Sequence, residues 1–239
     1  MNDFVQLWVY LASTPLFGLT ATLATYVVAS LLYERAGKAA WANPVLWSVV
    51  GIGAALLATR TSYPTYFAGA QFVHVLLGPA VVALAWPLWL RRGELRRRGV
   101  ALVVAALIGG AAAAGSAVAL AWAFGMPAEV LRSLAPKSVT APVAMGIAER
   151  IGGVPALSAV FAVATGMVGA LSAKTLFDLL GIRAWAVRGF ALGTASHGIG
   201  TARALQVDAD AGAYAGIALG LHVVVASLLM PLAFRWFGG

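Results

Sequence analysis

The sequence predicts an all-α polytopic membrane protein with six full transmembrane helices and two discontinuous or re-entrant elements, arranged as inverted repeats. Three observations carry that expectation. The 239 residues are 62% hydrophobic and only 10% charged, where a soluble domain carries about a quarter charged residues, and the mean hydropathy is +0.90. The charges are gathered into short connections between long charge-free runs. Two further runs are too short to span and are interrupted by proline and glycine.

The long runs cover residues 4–33, 39–59, 61–90, 99–128, 151–173 and 211–234. Each suffices for a helix across a hydrocarbon core of about 30 Å, which takes about 20 residues. The short runs are 138–148 and 189–202. The whole chain, 1–239, reads as one membrane domain, with 1–98 holding N-terminal helices and 99–239 the half with interrupted helices. Met1-Asn2-Asp3 lacks the basic start of a cleavable leader, so the first run is expected to stay as a span. Tryptophans 8, 41, 47, 86, 89, 185 and 236 fall near run ends, where amphipathic rings sit at headgroup level.

Net charge is +8. On a soluble chain that would suggest nucleic acid, but here the cations lie in the connections, and cytoplasmic loops collect Lys and Arg. No nucleic-acid partner is expected. The stretch 91–98, with five arginines and one glutamate, is placed in the cytoplasm, as is the connection holding Arg183 and Arg188. Both assignments hold only if residues 137–153 enter and leave from the outer side, or cross as a broken helix compensated by a later crossing. In the first case the 193–201 segment enters from the cytoplasmic side, and the chain holds two opposed interrupted elements, a pattern that points to a transporter's binding site. The absence of cysteine excludes disulfides, thiolate catalysis and thiolate-bound metals.

The first interrupted segment is Ser133-Leu134-Ala135-Pro136-Lys137-Ser138-Val139-Thr140-Ala141-Pro142. Pro136 and Pro142 forbid a continuous helix. Thr140 is placed as the N-cap of a half-helix starting near Pro142, and Ser138 and Thr140 can satisfy backbone groups freed by the break. A half-helix N-terminus favours anions, and Lys137 adds a full charge, so a small carboxylate is the expected ligand. Read alone, Lys137 would be a loop lysine snorkelling to the interface.

The second segment, Gly193-Thr194-Ala195-Ser196-His197-Gly198-Ile199-Gly200-Thr201-Ala202-Arg203, is too polar for lipid. Gly198 and Gly200 are expected to permit a break, Thr201 to cap the helix beyond it, and Arg203 to supply a cation. His197 is suited to relaying a proton or binding a carboxylate. Singly, these residues would be a satisfied imidazole and glycines for close packing; beside the first segment they read as a site.

Lone His74 and His222 are expected to be satisfied core histidines. Glu149 and Arg150 are placed at the interface, Lys174 and Asp178 as an i,i+4 ion pair, and Gly78-Pro79 as a kink or a third break. No enzyme is expected: Ser196 and His197 point about 100° apart on a helix, and no metal spacing or phosphate loop occurs. No cofactor is expected either.

At these segments the chain resembles the LrgB/CidB family, which includes the membrane domain of the plastid glycolate/glycerate translocator. Residues 133–144 are similar to that family's S-L-L-P-K-S-V-T-T-P-I-A, and 193–202 to its G-T-A-S-H-x-I-G-T-A. Residues 76–85 and 151–155 are further matches. Ala141 stands where the family has a second threonine. The resemblance implies one of two functions. One is secondary transport of small monocarboxylates such as glycolate, glycerate or pyruvate, with a coupling proton or sodium ion and a homodimer. The other is antiholin-like regulation of murein hydrolase export and lysis, acting with a separate LrgA/CidA-type membrane partner. It implies the bacterial cytoplasmic membrane in both cases.

Overall fold

The computed structural model describes residues 15–76, 79, 82, 85–90 and 92–237, which are helical apart from short connections. The chain divides into two compact units, Met1–Val82 and Ala83–Gly239.

In the first unit, α1 (Pro15–Arg35) packs against α2 (Pro44–Thr59) and α3 (Tyr63–Val75). Gly18 lets α1 approach the α3 backbone so closely that an added Cβ would lie 2.8 Å from the Ala70 nitrogen. Beside it the Thr22 and Tyr66 hydroxyls share a hydrogen bond of 2.6 Å. The start of α2 is set by Asn43, whose Oδ1 accepts from the Val45 and Leu46 nitrogens at 2.9 and 3.3 Å, with Pro44 at the first helical position. The His74 side chain and the Gly78-Pro79 break lie outside the described residues.

The second unit runs α4 (Ala85–Leu90), α5 (Arg92–Ala123), α6 (Ala128–Leu134), α7 (Ala141–Arg150), α8 (Pro155–Leu179), α9 (Trp185–Val207) and α10 (Ala209–Phe237). Three long apolar helices, α5, α8 and α10, form its frame. Their outer faces expose Val104, Ile108, Leu120, Val160, Val168, Val224 and Leu228, an apolar surface on the scale that a lipid environment accommodates. The inner faces are small, with Ala106, Ala162, Ala170, Ala215 and Ala218 almost fully buried. Small residues allow the close backbone approach on which helix packing in lipid depends.

Among the described residues, four helices are long and apolar enough to cross a membrane: Leu16–Arg35, Arg96–Ala123, Pro155–Leu179 and Ala209–Arg235. The sequence predicts six. The run 39–59 folds as a helix of 16 residues, about 24 Å long at 1.5 Å per residue and so short of the core thickness. The run 61–90 is described only as α3, α4 and isolated residues between them. The basic stretch predicted as a loop also differs: α5 begins at Arg92, so Arg96, Arg97 and Arg98 sit on its opening turns.

One end of this unit is basic. The Tyr214 hydroxyl on α10 donates to Glu94 of α5 at 2.9 Å, and Arg98 stands 3.9 Å from the same carboxylate. Phe177 of α8 and Ala211 of α10 share a buried cluster with Leu192 and Ala204 of α9. The ends of α8 and α9 meet there too: Asp178 pairs with Lys174 at 2.8 Å, as the spacing predicts, and also with Arg188 at 2.5 Å.

Candidate functional site

The two interrupted segments are both hairpins. In the first, the Val154 nitrogen donates to the Ser133 Oγ at 2.7 Å, 21 residues earlier in the chain. A Cβ on Gly153 would lie 2.8 Å from the Ser133 nitrogen. The chain therefore leaves at residue 133, turns, and returns along α7 to the place it left. Two successive turns make the tip, the Lys137 nitrogen bonding the Leu134 carbonyl and the Val139 nitrogen the Pro136 carbonyl, both at 3.1 Å. Pro136, Ser138 and Val139 are buried in it. The return arm has 10 residues, about 15 Å of helix, which is half a membrane.

In the second, α9 is broken at Ser196 (φ −128°, ψ 17°) and His197 (φ 41°, ψ −134°). Residues on either side of the break fold back on each other. A Cβ on Gly200 would stand 2.8 Å from the Leu192 carbonyl oxygen, although eight residues of continuous helix would separate them by about 12 Å. Trp185 and Arg188 from the beginning of α9 line the same cavity as Arg203 and Val207 from its end. This hairpin starts and finishes at the basic end, whereas the first is joined to the far ends of α5 and α8. The two hairpins therefore open toward opposite ends of the frame helices.

Their tips meet. Thr140 and Gly198 approach to 4.0 Å, measured from the Thr140 Cγ2 to a Cβ built on Gly198. His197 crosses to α8, where its Nε2 lies 2.7 Å from the Ala162 carbonyl oxygen. A carbonyl only accepts, so Nε2 carries a proton and Nδ1 is the nitrogen left to titrate. Gly166 makes room for this ring, and Gly169 for Ser196. Two half-helices begin at the junction, α7 at Ala141 and the return arm of α9 at Gly198, so two positive helix ends converge there. Lys137 lies beside them with its Nζ donating to the Ser138 Oγ at 3.3 Å.

Of the sequence-predicted residues, Lys137, Ser138, Thr140, Pro142, Ser196, His197 and Gly198 belong to the two tips. The others do not. Thr194 donates to the Phe190 carbonyl at 2.9 Å and faces Gly109 of α5. Gly200 serves packing against Leu192. Arg203 lines a cavity at the base of the hairpin. Three finer expectations are corrected. The break falls at Ser196-His197, because Gly193 and Gly200 on either side are used for close approach. Thr201 is no N-cap: its hydroxyl donates backwards to the His197 carbonyl at 2.8 Å. Thr140 does occupy the N-cap position of α7, with Pro142 in the first turn, but its side chain caps nothing.

Sequence reasoning missed His222. Its ring is 2% exposed, presses on Gly110 of α5, and borders a cleft of about 560 Å³ between α5 and α10 that also touches Ala135 of the first tip. It is no satisfied core histidine. Among the described residues, the buried side-chain polar atoms without a partner are the Thr140 Oγ1 and both ring nitrogens of His222. Orphans of this kind cost on the order of 1–3 kcal/mol each and ask for a ligand or water. His222→Met is therefore expected to raise the thermal midpoint while impairing function; a lowered midpoint would show that the ring is bonded.

The second unit is thus the helical bundle of an integral membrane protein that holds two opposed hairpins, with Lys137 and His197 at their tips and His222 bordering a cleft that touches the first. The chain belongs to the LrgB-like family, whose model matches residues 22–236. It is 36% identical over 216 residues to the uncharacterized protein YxaC of Bacillus subtilis, covering 90% of this chain and 94% of that one. It is 30% identical over 238 residues to the holin-like protein CidB of Staphylococcus aureus, covering 99% of this chain and 100% of that one. A protein of Haemophilus influenzae is 31% identical over 193 residues, 81% of this chain and 84% of that one. No solved structure matches.

Proposed function

We propose that the protein is a secondary transporter of small monocarboxylates, with glycolate, glycerate and pyruvate as the first substrates to test. The observation that carries this reading is the convergence of two half-helix N-termini beside Lys137, where the buried Thr140 hydroxyl lacks a partner. Positive helix ends aimed at an anion from opposite sides are how discontinuous membrane helices bind a carboxylate. The substrate carboxylate would sit between the tips of 137–142 and 196–198, with Lys137 as counter-ion and Thr140 as donor. Access would alternate as one hairpin moves against the frame helices. In this reading the chain has six spans in inverted repeats, works as a homodimer, and couples to a proton through the Nδ1 of His197 or to a sodium ion.

A second reading is favoured by the relatives, several of which are named holin-like protein CidB. It is an antiholin-like regulator of murein hydrolase export and lysis, working with a separate LrgA/CidA-type membrane partner. The comparisons favour this reading over transport; the geometry of the tips is what argues for the carrier.

Uptake of radiolabelled glycolate or pyruvate into proteoliposomes holding this chain alone separates the two. A carrier shows saturable uptake. No uptake, or leakage without regard to solute size, removes the transport reading in favour of the second.

A further inference from the structure

We propose that the groove between α7 and α10 is the outward vestibule of the carboxylate site, in which Arg150 gathers a small anion, Ser227 donates to it and Gly146 leaves the way to the first tip open. The groove, of about 200 Å³, is lined by Val143, Gly146, Ile147 and Arg150 of α7 and by Ser227 of α10. The α7 positions recur at the spacing of a single helix face. They span about 10 Å at 1.5 Å per residue, from the helix end at Arg150 to Val143, the residue after Pro142 of the tip. A cation and a hydroxyl therefore share the groove, and no acid lines it. Neither side chain has a hydrogen bond or an ion pair among the described residues.

Gly146 separates this groove from a packing seam. It stands in the middle of a 10-residue helix, where glycine is disfavoured relative to alanine. Close approach accounts for Gly153, Gly189 and Gly193, each of which faces backbone atoms that a Cβ would strike. At Gly146 a Cβ would meet nothing within 4 Å, and the backbone there is helical, so neither crowding nor conformation calls for glycine. A side chain at this position would project into the passage between Arg150 and the tip, and its absence keeps that passage open. Arg150 also stands at the C-terminal end of α7, where a cation suits the helix dipole. That effect needs the charge alone, not a partnerless hydroxyl and a bare glycine beside it. With the basic end of the bundle at the cytoplasm, this mouth faces outward. The ligand class rests on the transport reading: a carboxylate of a few heavy atoms, carried in with its water.

The chain contains no cysteine, so Gly146→Cys places a single thiol in the groove, and with no neighbour for its Cβ the variant is expected to fold. Right-side-out membrane vesicles holding it would be treated from outside with anionic sulfonatoethyl or cationic trimethylammonioethyl methanethiosulfonate, and modification read from the mass of the purified chain. Both reagents are expected to react. Residues four apart on a helix lie about 6 Å from each other, where a unit charge in water changes each rate about threefold, in opposite directions. Adding Arg150→Gln should therefore lower the ratio of anionic to cationic rate about tenfold, and Arg150→Lys should keep it. Glycolate should slow the anionic reagent, and neutral glycerol should not. A thiol that neither reagent reaches, a ratio that Arg150→Gln leaves unchanged, or equal effects of glycolate and glycerol would each overturn the proposal. Labelling is read without uptake. Absence of uptake with the labelling pattern intact therefore sinks the carrier alone, and uptake without the pattern sinks the vestibule alone.

Discussion

Changing Lys137 to methionine is expected to abolish saturable carboxylate uptake while leaving the protein at least as stable as it was. The two halves of that expectation rest on different physics. Lys137 is half-buried at the first tip and its Nζ has one protein partner, a neutral hydroxyl at 3.3 Å. Holding an ammonium there without an opposite charge opposes folding, and an apolar side chain of similar length removes that penalty. A substrate carboxylate needs the charge, however. Truncating one member of a buried charge pair costs about 2–5 kcal/mol, which weakens binding about 30-fold to over 1,000-fold. Lys137→Arg should restore only part of the uptake, because the planar fork cannot take the place of a compact ammonium beside Ser138. Uptake that persists in the methionine variant would sink the counter-ion role. A large drop in melting temperature would show that Lys137 is structural and has an anionic partner in the folded chain.

The existence and polarity of the two interrupted segments were legible because proline, glycine and charge spacing act locally. Pro136 and Pro142 had to break the chain, and α7 starts where Pro142 allows it. What could not be read was anything set by a distant neighbour. Gly200 looked like a hinge, yet it lies flat against Leu192, as Gly193 does against Ala215; the hinge itself is a serine and a histidine held open by α8. Arg203, six residues beyond His197, seemed to belong with it until the hairpin carried it to the base. His222 was a lone histidine in an apolar run, and its environment is built by Gly110, more than a hundred residues away. The glycine pair Gly109-Gly110 was a signal that a side chain would come close there, but nothing in the sequence named which.

His197→Gly is expected to be more stable than His197→Ala by about 1–2 kcal/mol, the reverse of the order found inside ordinary helices, where alanine is favoured by about 1 kcal/mol. The reversal comes from the backbone. At φ 41° and ψ −134°, His197 occupies a conformation in which a residue with a Cβ carries about 1–3 kcal/mol of strain. Both variants lose the 2.7 Å bond to the Ala162 carbonyl, so that loss cancels between them. Only glycine releases the strain. Such strain persists where surrounding structure over-determines it, and it concentrates at functional sites; here the side chain that it positions is a titratable ring at the meeting of two helix ends. His197→Gln keeps a donor for Ala162 but cannot carry a proton on a second nitrogen. It should leave the hairpin intact, retain some uptake, and remove the dependence of uptake on external pH. Equal or inverted melting temperatures of the glycine and alanine variants would refute the strained hinge. Uptake that still depends on pH in the glutamine variant would refute coupling through this ring. A sodium ion would then remain as the coupling candidate, since a carrier that moves one anion across a polarised membrane works against about 2.3 kcal/mol per 100 mV unless a cation travels with it.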